Sequence, residues 1–146
     1  MTKEELLALE KELTFEKFKP EYGLLIGEEL LKWMKDNYKF KTGFRIRFNG
    51  LTLFQVLMPL KNEEYWLNWK EKMVLDSGHC SYYSYLNGDS PKGEVEEGYV
   101  IIPGGFPILV NGEVKGTICF SGLKAEDDHQ VIVDALMKLK KQGSFR

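Results

Sequence analysis

Two of the three Asn-Gly pairs, Asn49-Gly50 and Asn111-Gly112, lie between apolar runs and constrain this chain more than any other feature of it. Both central positions of a type I′ turn need positive φ, so Asn-Gly between apolar runs is the strongest short-range hairpin signal. Ahead of the first pair, Phe44, Ile46 and Phe48 alternate with Arg45 and Arg47, the period-2 pattern of a strand with one face buried and the other in water. The two arginines are therefore expected on a solvated face. The return strand reads LTLFQVLM; being almost wholly apolar, it is expected centrally in a sheet, and Pro59 ends it by removing a donor. The second pair joins strands near Phe106 to Val110 and Val114 to Phe120, and another strand is expected near Tyr99 to Ile102.

Helical spacing fills the intervals. Leu6, Leu9 and Leu13 share one face of a short opening helix, and Pro20 restarts the chain as the first residue of a second helix running to about Asn37. Its inward stripe is Ile26, Leu30, Trp33 and Met34, with Gly27 permitting a close approach. Asn62 is a candidate N-cap for a third helix, whose buried side carries Trp66, Trp69, Met73 and Val74 and which is expected to continue through Gly78 to Tyr83. NGDSPKGEVEEG, residues 87–98, reads as an exposed loop. A last helix starts near Lys124, with Ile132, Ala135, Leu136 and Leu139 on one face and Asp128 and His129 one turn earlier. Helices packed on an antiparallel sheet make an α+β domain, expected as one unit over residues 1–146.

The charge balance removes several functions. A net charge of −2 lacks the basicity that dominates nucleic-acid binding. No apolar run approaches the roughly 20 residues of a membrane span, and the acidic, amphipathic start is unlike a signal peptide, so a cytoplasmic protein is expected. Cys80 and Cys119 lack metal spacing and are read as two buried thiols.

Chemistry concentrates at Asp127, Asp128 and His129, where the helix dipole favours carboxylates and keeps imidazole neutral, as iron or metal ligation requires. His129 has two readings, a structural hydrogen-bonded residue or a ligand contact. His79, beside Cys80, shows no nucleophile spacing and is set aside as a catalytic residue. Gly104-Gly105 and Ser121-Gly122 allow close backbone approach to a ligand, but no phosphate-loop or dinucleotide fingerprint is present.

GGFPILV, GTICFSGL and EDDH running into an apolar helix closely resemble the C-terminal signature of the haem-degrading-domain superfamily, the GlcG/HbpS-like proteins, and NEEYWLNWKEKMV with SYY resembles its branch of small uncharacterised cytosolic proteins. Many members of that branch carry His-Gly-Gly before the Phe-Pro, where this chain has Ile102-Pro103-Gly104-Gly105. The resemblance implies a profilin-like fold with a mainly antiparallel five-stranded sheet, assembled into a homo-oligomer, dimer or larger. It implies a small-molecule site, with haem as the candidate cofactor. That site would comprise Gly104, Gly105, Phe106, Pro107, Ser121, Gly122, Asp127, Asp128 and His129, with Trp66, Lys70 and Tyr82 as walls. His129 would be the iron ligand of a non-catalytic binding protein. An enzyme that oxidatively opens haem, and a cofactor-free oligomeric scaffold, are the alternatives.

Overall fold

The computed structural model describes residues 1–146. In chain order the elements are α1 (Lys3–Glu12), α2 (Pro20–Asp36), β1 (Gly43–Phe48), β2 (Leu51–Leu57), α3 (Tyr65–Ser77), α4 (Ser81–Asn87), β3 (Gly105–Val110), β4 (Glu113–Ser121) and α5 (Ala125–Lys141). Both hairpins form as the Asn-Gly pairs require: Asn49 and Gly50 sit at φ 50° and 78°, Asn111 and Gly112 at 51° and 82°. The strands make one antiparallel sheet in the order β2-β1-β4-β3.

Alternation along β1 and β4 sorts the two faces. Phe44, Ile46, Ile118 and Phe120 point towards α2 and α5, where Ile26, Leu30, Met34, Ile132 and Leu136 complete the core. Each such side chain, fully buried, contributes on the order of 1.5–3 kcal/mol relative to exposure. Gly27 lets α2 settle on β2: a Cβ there would lie 2.5 Å from the Phe54 ring. On the opposite face α3 covers the sheet with Leu67, Trp69, Met73 and Val74.

Several expectations are corrected. Arg45 is not in water; α3 lies over it, and its guanidinium donates to Gln55, Asn68 and Glu64 at 2.9, 2.7 and 3.1 Å. Arg47, partly exposed, pairs with Glu71 at 3.3 Å. The sheet has four strands rather than five. Tyr99 to Ile102 joins no ladder, and Tyr99 is held by its ring on Trp69 and a hydroxyl donated to Trp69 O. The free side of β3 is instead met by Phe15, which bridges to Val110. β2 lies at the edge, with α2 shielding part of its apolar surface and Leu51 and Leu57 exposed. Gly78 ends α3 in the left-handed conformation, so Ser81 begins a separate helix; α3 itself starts at Tyr65, with Glu64 rather than Asn62 at its N-cap position.

Candidate functional site

The ends of β4 and β3, the start of α5 and the middle of α3 converge on one buried polar cluster. Gly104 makes it possible. Its φ of 121° disfavours any side chain, and a Cβ there would lie 2.6 Å from both Lys70 Nζ and Phe120 O. Through that space Lys70 reaches from α3 to donate to Phe120 O (2.7 Å) and Asp128 Oδ2 (2.9 Å), while Asp128 Oδ1 accepts from Leu123 N (2.9 Å). Burial pushes the Asp128 carboxyl up to about 6, with Lys70 opposing the shift; burial likewise pulls the Lys70 ammonium below its usual range, with Asp128 opposing. Beside them Gly105 N donates to Ser81 Oγ (2.9 Å), and Ser121 Oγ accepts from Lys61 Nζ (2.9 Å).

His129 lies inside this wall, 1% exposed. Tyr82 meets its ring edge-on at 5.1 Å and Phe106 packs at 5.9 Å. Neither ring nitrogen has a hydrogen-bond partner, and burial pulls the imidazole down to about 4, so it is neutral. Its chemistry suits iron ligation, but none of the principal cavities reaches it. A haem does not fit at His129 while Tyr82 and Phe106 stay in place.

The other expected residues divide. Gly104, Gly105, Phe106, Pro107, Ser121, Lys70, Tyr82 and Asp128 are buried. Trp66 is half-buried against Trp69 and Tyr65. Gly122 and Asp127 are exposed and line a surface groove of ≈ 490 Å³ with Tyr38, Lys39 and Lys41. Both cysteine thiols are buried and pushed up to about 12, which leaves them unreactive.

The residue that sequence reasoning passed over is His79. It sits between α3 and α4, where its Nδ1 lies 2.8 Å from Glu10 Oε1; the other Glu10 oxygen accepts from Cys80 N at 2.9 Å. Glu10 is 4% exposed, so the pairing is fixed. A carboxylate only accepts, which places a ring proton on Nδ1 and leaves Nε2 outside this contact. The His79 side chain is 38% exposed, lies against the Tyr83 ring at 4.6 Å, and lines a cavity of ≈ 360 Å³ with Met73, Asp76 and Asp89. An accessible imidazole held by a buried carboxylate fits an iron ligand. No local spacing announces it, because Glu10 comes from α1, 69 residues away.

The sequence model of the family described as haem degrading protein HbpS-like matches residues 28–137. A UPF0303 protein of Psychromonas ingrahamii is 30% identical, over 94% of this chain and 92% of that one. The crystal structure of Ybr137w protein superposes with a TM-score of 0.83 at 25% identity, over 97% of this chain and 89% of that one. The structure of a PduOC:heme complex shares the fold with a TM-score of 0.62 at 14% identity, over 85% and 94%.

Proposed function

The chain belongs to the HbpS-like family of haem degrading proteins, and on that premise we propose that it is a haem-binding protein whose iron ligand is His79. The observation that carries this reading is the Glu10–His79 pair, which holds an accessible imidazole at a solvent-open cavity with Nδ1 engaged by the carboxylate. Glu10 orients the ring, as carboxylates behind metal-bound histidines do. Tyr83 supplies an aromatic wall and Lys92, among the lining residues, a cation for a propionate. Haem held there would supply a redox-active iron centre. A like-folded protein has been solved as a heme complex, which supports the same ligand class. The exposed leucines Leu51, Leu57 and Leu60 suit subunit contacts, and we read the protein as a homo-oligomer on that ground.

A second reading keeps His129 as the ligand. It is favoured by the two unpartnered ring nitrogens and requires Tyr82 to swing away. Hemin titration separates the two. His79→Ala is expected to abolish a saturable Soret shift, Glu10→Gln to weaken binding by about 10–100-fold, and His129→Ala to leave it intact. The opposite pattern selects His129, and no saturable shift in the unaltered protein refutes both.

A further inference from the structure

A second site lies away from both histidines, in the groove between residues 38–42 and the start of α5. We propose that this groove binds a flat aromatic polyanion, stacked on Tyr38 and held by Lys39, Lys41 and Lys124.

Backbone conformation is the first reason. α2 ends in a Schellman motif: Lys39 N donates to Met34 O (2.8 Å) and Tyr38 N to Lys35 O (3.2 Å), which puts Tyr38 at the left-handed position with φ 54°. Glycine is the ordinary residue there, and a bulky one is an outlier. The same fold uses glycine in the same motif at the end of α5, where Gly143 N and Ser144 N bond to Lys140 O and Leu139 O. Packing does not compensate Tyr38 for its strain. Its residue surface is 78% exposed, and its one aromatic neighbour is Phe40, edge-on at 6.4 Å. Strain kept at an exposed aromatic points to a role in binding.

Charge is the second reason. Six lysines of the chain have carboxylate partners and the others do not; Lys39, Lys41 and Lys124 are among the unpaired ones, and what sets them apart is that they gather in one place. All three line the groove, against the single carboxylate of Asp127. Its ≈ 490 Å³ falls in the range of small-molecule sites, and it runs into a neighbouring ≈ 270 Å³ groove that shares Lys39, Leu123 and Asp127. Gly122 keeps this space open. At φ 119°, a Cβ on it would lie 2.5 Å from Lys41 O, so a side chain there would displace the turn that carries the lysines.

A nucleotide and a porphyrin dicarboxylate share this chemistry. The cavity at His79 shares no lining residue with the groove, so the proposal stands independently of the haem reading. The test titrates the full chain with pyranine, a pyrene trisulfonate, followed by fluorescence anisotropy. Saturable binding is expected. Tyr38→Gly should weaken it at least tenfold while raising Tm, because the variant removes the stacking ring and the backbone strain together. The pair Lys39→Glu and Lys124→Glu should weaken it at least as much, and His79→Ala should leave it unchanged. Displacement by ATP or by metal-free protoporphyrin IX identifies the natural class. The proposal is overturned if binding is not saturable, if Tyr38→Gly binds as the unaltered protein does, or if neither competitor displaces the dye.

Discussion

Asp128 and His129 are consecutive, both buried, and shifted in opposite directions, so their effects on stability should nearly cancel across mildly acidic pH. His129 titrates near 6.5 when unfolded and near 4 when folded. Its contribution is fully present above 6.5 and is lost as pH falls through 4. At 1.36 kcal/mol per pH unit that loss is about 3 kcal/mol. Asp128 runs the other way, from 3.8 unfolded to about 6 folded. Its contribution is fully present below 3.8 and is lost as pH rises through 6, again about 3 kcal/mol. Lys70 and Lys61 act on Asp128 and the chain's amino terminus on His129, yet every other titrating group enters both sides of a comparison between variant and parent. The perturbation is His129→Leu, an apolar side chain placed among Tyr82 and Phe106. Urea unfolding at pH 6.5 and pH 4 should show little net change from this pair in the parent. The variant should gain about 3 kcal/mol relative to the parent on acidification. Parallel pH dependences for variant and parent would refute the assignment of a buried neutral imidazole.

Two further outcomes follow from the same cluster. Gly104→Ala places a methyl 2.6 Å from a backbone carbonyl and an ammonium at a φ of 121°, and should lose about 3 kcal/mol or more in denaturant unfolding; a loss under about 1 kcal/mol would show that the strand end yields freely. Cys80 and Cys119, both buried with thiols near 12, should react with a thiol reagent only at the rate of unfolding, and fast labelling of native protein would contradict their enclosure.

Local patterns in the sequence translated well into structure wherever the physics was local. The Asn-Gly turns, the proline start of α2 and the stripe on α5 are decided within a few residues by φ preference and helical period. The errors arose where a partner from elsewhere in the chain decides. Arg45 alternates like a wet residue, but α3 supplies Asn68 and Glu64 to bury it. β2 is apolar enough for a central strand, yet topology leaves it at the edge. At the candidate site the sequence identified the residues around Gly104 and Asp128 but not their enclosure, and it set aside the histidine that faces solvent.

The sequence by itself determined the two hairpins, the helical stripes and the family, because these rest on short-range periodicity and on motif residues close together along the chain. Only the tertiary structure decided which polar groups are buried, which cations go unpaired and which histidine has a carboxylate behind it. Those properties depend on Lys70 meeting Asp128 across 58 residues and Glu10 meeting His79 across 69, and desolvation, which sets their chemistry, exists only once the chain has packed.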